Sequence, residues 1–345
     1  MRNILTLIFC FSVLCSCQKV SKENIWQNYE VYRAGEKYHV KGSICDRIVF
    51  KSSNASKAID AAIKKVETYG GQILLSRGEF LLNEEIIIPS FVTLAGSGPA
   101  TKLILQPDHA TGIGISCREV NKVVIKNLLI KTASDAAAKT AVLMESCGDS
   151  KIVDITCLGF EESGITLSNN SFLCEINGCH VAGIKGSGIL LEKLARGGRA
   201  GEYIPNLVSN CMVYGCKTGI ETNRAIVLNI VGCQVYQTDG YGFYINNTSN
   251  SVCITGCRTF QIKDHAVVVE NSHEINISSN IFCWSTGHGI VLDHVIWGTI
   301  SANNIIDVGS VNLYDPAEDS MKVSMVDENF LKAPTPEDTY DLYNG

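Results

Sequence analysis

One short phrase recurs down the chain at a nearly constant interval. It reads Gly-Ile-Leu-Leu-Glu from Gly188, Gly-Phe-Tyr-Ile-Asn from Gly242, Ala-Val-Val-Val-Glu from Ala266 and Gly-Ile-Val-Leu-Asp from Gly289. Earlier copies start at Ala141 and Gly164, and a degenerate one starts at Gly219. Successive starts lie 23 or 24 residues apart, except for 31 between Gly188 and Gly219. A period of this size means stacked copies of one supersecondary unit.

The pattern inside the phrase says which unit. Its second and fourth positions are mostly apolar, as in Ile189/Leu191, Phe243/Ile245, Val267/Val269 and Ile290/Leu292. That is strand alternation, rich in β-branched residues. A second strand signal follows each phrase, at Val252-Cys-Ile-Thr, Ile275-Asn-Ile-Ser and Gly298-Thr-Ile-Ser. No helical period separates the two, and the interval is shorter than the roughly 30 residues of a strand–helix–strand unit. Coils of short parallel strands make a β-solenoid. An antiparallel sandwich is the competing arrangement, but it gives no reason for a fixed period.

A second column keeps the same register. Cys179, Cys233, Cys257 and Asn280 stand nine residues before their repeat positions, with Cys211 eight before Gly219 and Asn304 in the next coil. Equivalent positions in neighbouring coils lie about 4.8 Å apart, so these side chains form an inward ladder. One thiol per coil lacks the paired spacing of a metal site, so no metal is assigned. Thirteen cysteines lie outside the leader described next. In register and pointing one way, they are expected to be mostly free, buried thiols.

The chain divides into four segments. Residues 1–16 carry Arg2, an apolar run from Ile4 to Leu14, and then Cys15-Ser16, an export signal too short for a permanent membrane span. Leu14-Cys15-Ser16-Cys17 resembles the bacterial lipobox, which implies lipidation at Cys17 and a cell-envelope lipoprotein; ordinary cleavage is the alternative. Residues 17–50 form a tether and N-terminal cap, 51–310 the solenoid, and 311–345 an acidic C-terminal edge. A net charge of −6 gives no basic face for nucleic acid. Membrane association is expected through the lipid alone, and the sequence leaves the oligomeric state open.

Ala55–Tyr69 reads as an amphipathic helix with Ile59, Ala62, Ile63 and Val66 on one face, ending at Gly70-Gly71. A helix there can cover the open end of a solenoid. Gly71-Gln-Ile-Leu-Leu-Ser-Arg-Gly-Glu-Phe follows, then Ile86-Ile-Ile-Pro and Leu94-Ala-Gly-Ser-Gly. This order resembles the entry to the right-handed parallel β-helix of the pectate-lyase superfamily, which includes polygalacturonases, rhamnogalacturonases and epimerases. The resemblance covers roughly residues 55–310. It implies an all-β fold with an N-terminal capping helix and leaves the chemistry to the site.

Chemistry is sought where polar residues stack. Just before the repeat position stand Ser163, Ser187, Thr218, Tyr241, His265 and His288, with Asp264 beside His265 and Asp239 slightly earlier in its own coil. The fifth position of the phrase gives Glu145, Ser168, Glu192, Asn223, Asn246, Glu270 and Asp293. Polygalacturonases are similar here, with Asn-Thr-Asp, Asp-Asp and Gly-His-Gly one coil apart. This chain has Gln237-Thr238-Asp239, Asp264-His265 and Gly287-His288-Gly289. The resemblance implies that His288 is the active-site histidine and Asp264 the general acid. His265 replaces the second Asp, and the Arg-x-Lys that grips a uronate is absent after Gly298.

Glycoside hydrolysis needs one carboxyl to protonate the leaving oxygen and a second as base or nucleophile. Close carboxylates raise one another's pKa, which keeps one protonated. Asp264 with Asp239 is the first candidate pair and Glu270 with Asp293 the second, with His265 or His288 tuning the acid. The ordinary alternative is that each is a turn residue. Tyr241, Tyr244, Glu221 and Lys263 are candidate substrate contacts. So are Arg196, Arg199 and Tyr203 in the Lys193–Asn206 insertion, which otherwise reads as a solvated loop. The expected function is hydrolysis of a uronate-containing polysaccharide without a cofactor. The alternatives are a lyase, which would add Ca²⁺, and a non-catalytic glycan-binding or structural solenoid.

Overall fold

A computed structural model describes residues 27–42, 47–134, 136–194, 205–310, 313–314, 321–325 and 330–332. It is a right-handed parallel β-helix of about ten turns with one helix. Each coil passes through three strands, and like strands stack in parallel into three sheets. In one coil these are Ile226–Val231 in the first sheet, Gln234–Tyr236 in the second and Phe243–Asn246 in the third. The next coil repeats them with Asn250–Thr255, Arg258–Phe260 and the start of Val267–Ser278. The alternation read from the sequence belongs to the third sheet, where Ile189, Ile220, Phe243, Val267 and Ile290 pair in register. All five are fully buried, and each contributes about 1.5–3 kcal/mol of apolar burial.

The repeat glycine has a steric cause. None of Gly164, Gly188, Gly219 and Gly242 has a left-handed φ, so conformational freedom does not select it. A Cβ on Gly219 would lie 2.3 Å from Val235 Cγ1 and 2.5 Å from the Gly242 carbonyl oxygen; one on Gly188 meets Val213 in the same way. The corner between the second and third sheets is so tight that a valine of one coil occupies the side-chain position of the glycine before it.

The corner between the first and second sheets holds the expected inward ladder. Cys179, Cys211, Cys233 and Cys257 are buried and free, and each thiol donates to the carbonyl two residues earlier. The ladder continues as Asn280 and then Asn303, whose Oδ1 accepts from Asn280 Nδ2 at 2.9 Å. Asn303, not Asn304, is therefore the rung; Asn304 opens the next strand. A second ladder, of Cys147, Cys174 and Asn206, runs along the corner between the third and first sheets. Burial lifts the thiols of Cys147 and Cys216 to about 11 and that of Cys174 to about 12.

The N-terminal end is closed by helix α1, Ala55–Val66, whose buried face is Ala55, Ala58, Ile59, Ala62, Ile63 and Val66. Asn54 caps it, its Oδ1 accepting from the Lys57 amide at 2.9 Å. Before α1, Gln27–Ala34 and Lys37–Gly42 form an antiparallel hairpin, and the first of these also pairs in parallel with Gly71–Leu75. So the first sheet begins inside the segment read as tether and cap. At the other end, Met321–Met325 and Phe330–Lys332 extend the first and second sheets. The coil pattern thus runs past residue 310, where the apolar phrase fades. Gly219→Ala is expected to destabilise the protein by about 1–3 kcal/mol through overpacking, read as a lower urea midpoint.

Candidate functional site

The third-sheet strands are entered through a turn of about six residues that leaves the second sheet in a left-handed step. Gln237, Gln261, Trp284 and Asp307 take that step in successive coils, at φ 51°, 56°, 56° and 49°. After it come the residues singled out from the sequence: Asp239 and Tyr241, then Lys263, Asp264 and His265, then Gly287 and His288. The parallel register therefore gathers them on one corner.

Their side chains form two connected layers. Tyr241, His265, His288 and Tyr314 make a ring column, with centroids 5.9, 4.9 and 4.4 Å apart and interplanar angles of 20° or less. His265 is fixed by two contacts. Its Nδ1 accepts from the His288 backbone N–H at 2.8 Å, and its Nε2 lies 3.3 Å from Asp264 Oδ1. A backbone N–H can only donate, so Nδ1 is unprotonated and Nε2–H faces the carboxylate. Gly287 is needed for this, because a Cβ there would lie 2.3 Å from His265 Nδ1. Burial of His265 outweighs the attraction of Asp264 and lowers its pKa below the ordinary histidine value.

The outer layer is charged. Asp239 and Asp264 both line a cleft of about 760 Å³ together with Lys185, Lys217, Thr218 and Tyr241. Asp239 Oδ1 is held by Lys263 Nζ at 2.6 Å, with both side chains about 70% exposed. The first carboxylate pair read from the sequence thus has a cation bound to one member. Lys185 pairs with Glu161 at 2.7 Å in the same column of the corner. Exposed pairs of this kind contribute at most about 1 kcal/mol. Lys185 and Lys217 went unread as site residues, although Lys185 stands three residues before its repeat glycine, as Asp239 does.

The second pair lies elsewhere. Glu270 and Asp293 are register neighbours at the far end of the third-sheet strands. Tyr244 Oη donates to Glu270 Oε2 at 2.7 Å, and His294 Nδ1 lies 2.6 Å from Asp293 Oδ1. Burial, followed by that hydrogen bond, raises Tyr244 to about 12, so it is a neutral donor. Tyr244 and Tyr241, 5.0 Å between centroids, bridge the corner and the outer face of the sheet. Glu221 is the register neighbour of Tyr244 and accepts from Ser187 Oγ. Arg196, Arg199, Tyr203 and Cys17 lie outside the described residues. Among the described residues no group of three His, Cys, Asp or Glu side chains could hold a metal ion, and none of their helices is long and apolar enough to cross a membrane.

No protein-family model matches the chain, and neither does any curated protein. Solved structures do. The enzymatically active domain of tailspike protein 2 from bacteriophage CBA120 is 15% identical, with a TM-score of 0.59 over 76% of this chain and 44% of that one. DFA-IIIase from Arthrobacter chlorophenolicus A6, solved in complex with GF2, is 15% identical with a TM-score of 0.55, over 81% and 86%. The Streptococcus pneumoniae surface protein and adhesin PfbA is 14% identical with a TM-score of 0.52, over 78% and 94%. The chain spans less than half the length of the tailspike. What is shared at such identities is the fold, and it carries an adhesin as well as enzymes.

The depressed pKa of His265 makes stability depend on pH. The unfolded chain binds a proton near pH 6.5, whereas the folded chain binds it only at lower pH. The stability this group contributes is complete above about pH 6.5 and is lost as pH falls from there through the folded value. NMR titration is expected to give His265 an apparent pKa below 6.5, with ¹⁵N shifts of the Nε2–H tautomer at neutral pH. His265→Gln should flatten the loss of stability below pH 6.5.

Proposed function

We propose that this chain is a carbohydrate-active β-helix protein that hydrolyses a uronate-containing polysaccharide at the corner holding Asp239 and Asp264. The observation that carries this reading is two carboxylates and two lysines lining one open cleft, with Lys263 bound to Asp239 at its edge, in a chain of net charge −6. Lysines at the rim suit the carboxylate of a uronate, and Tyr241 offers a ring beside them. Asp264, oriented by His265 through one oxygen, gives a proton to the glycosidic oxygen as the bond to the anomeric carbon breaks. Asp239, with Lys263 beside it, takes a proton from the water whose oxygen bonds to that carbon. The tailspike domain described as enzymatically active and the DFA-IIIase support an enzymatic use of the fold.

The exposed Asp239–Lys263 pair and the adhesin with this fold favour a binding solenoid. Lys263 is the base a lyase would call on, but among the described residues no three carboxylates converge as a Ca²⁺ site would need. Purified mature protein on a panel of acidic and neutral polysaccharides separates the three. Hydrolysis gives reducing ends without the absorbance of an unsaturated uronate, elimination gives that absorbance, and a binding solenoid gives neither. Asp264→Asn is expected to lower kcat by about 10²–10⁴ with glycan affinity retained; undiminished turnover would remove Asp264 from the chemistry.

Export and anchoring to the cell envelope through Cys17 form part of the same proposal and rest on the leader sequence. Metabolic labelling with a radioactive fatty acid should mark the parent protein and leave Cys17→Ala unlabelled. Label retained in the variant would place the lipid elsewhere or refute the anchor.

A further inference from the structure

Beside the cleft, the outer edge of the second sheet carries aromatic rings in successive coils. Tyr214 and Tyr236 are register neighbours, as are Tyr236 and Phe260, and Trp284 follows one coil later. The Tyr236 and Phe260 rings meet edge to face at 6.3 Å, and Phe260 and Trp284 lie 4.4 Å apart. Tyr214 is 41% exposed and the other three are partly exposed. The core gains little from them, because the inward residues of these strands are Val213, Val235, Thr259 and Phe282.

Two further facts set this edge apart from scattered surface aromatics. Trp284 occupies the left-handed corner position that carries Gln237 and Gln261 in the preceding coils and Asp307 in the next. Bulky side chains disfavour that conformation, yet the indole is held there, its Nε1–H donating to Asp307 Oδ2 at 3.0 Å. The rings also line hollows that run into the cleft. Tyr214, Tyr236 and Phe260 face a depression of about 340 Å³ that shares Gln237 and Gln261 with a second of about 550 Å³ beside Trp284 and Lys263. The second shares Gly215 and Asp239 with the cleft. The amides of Gln237 and Gln261 are joined at 2.9 Å, a polar rail beside the rings.

We propose that Tyr214, Tyr236, Phe260 and Trp284 form a docking edge for the sugar rings of a polysaccharide whose acidic residue enters the cleft. Apolar ring faces at the coil spacing, with glutamine amides beside them, match the two surfaces of a sugar, its C–H face and its hydroxyl rim. Continuity with a carboxylate-and-lysine cleft argues for one extended glycan over a separate apolar ligand. This inference rests on the proposed function for its direction and widens the site around the corner, alongside the coils of Lys217, Asp239 and Asp264 and the one after them.

The test is isothermal titration of the full mature protein, carrying Asp264→Asn to prevent turnover, with uronate oligosaccharides of increasing length and neutral ones as controls. Affinity for uronate oligomers should rise with length and then level off. Tyr236→Ala and Tyr214→Ala should each weaken the longest oligomers roughly tenfold, as expected for exposing an aromatic face. The shortest oligomers should be unaffected. Tyr214 is exposed enough that its loss should leave the fold intact, which an unchanged urea midpoint verifies. Equal weakening at every length, no weakening, or no oligosaccharide bound would overturn the docking edge. So would a change in sedimentation showing that the rings pack against a second copy. Length-dependent binding without turnover in the parent would uphold the edge while the hydrolase reading fell; turnover insensitive to both tyrosine variants would do the reverse.

Discussion

Everything in this protein depends on coils lying directly over one another, so that a residue meets its counterpart one period away. Parallel pairing fixes that spacing, and the glycine column makes it attainable. At Gly188 and Gly219 a side chain would collide with a valine of the second sheet and with the backbone of the next coil. The same closeness turns single residues into columns. Isoleucines over valines fill the interior, thiols and amides line two inner corners, and rings and charges line the outer one. No long loop is needed to build a site, because stacking alone concentrates side chains that are far apart in sequence.

That economy explains what could be read from the chain. The period, the inward positions, the buried free thiols and the capping helix all follow from rules that act within one coil or between neighbours. The corner bearing Asp264, His265 and His288 was legible because the repeat position numbers every coil. Other features were less accessible. The rung at Asn303 differs by one from the residue counted from the sequence, yet it stands directly before its strand, as Asn280 and the cysteine rungs do. The C-terminal strands carry too weak an apolar phrase to announce themselves and are recognised by pairing alone.

The site shows why residue type alone did not fix chemical roles. Asp239 and Asp264 were paired as carboxylates, yet Lys263 neutralises one and His265 orients the other. Glu270 and Asp293 satisfy the same spacing rule but stand at the opposite end of the strand, engaged by Tyr244 and His294. The tautomer of His265 follows from a backbone N–H of the next coil. Such a contact exists only once the coils are stacked. Lys185 and Lys217 enter the cleft from earlier coils and change its charge. The aromatic edge escaped notice because it lies on the second-sheet side of the corner, where the strands are only three residues long.

The central claim is that the corner, and not the outer face of the third sheet, receives the glycan. A structure of the Asp264→Asn protein with a bound uronate oligosaccharide tests it most directly. A glycosidic oxygen is expected within hydrogen-bond reach of position 264, and a sugar carboxylate against Lys217 or Lys263. An oligosaccharide seated instead along Glu221, Tyr244 and Glu270, with the cleft left to solvent, would contradict it.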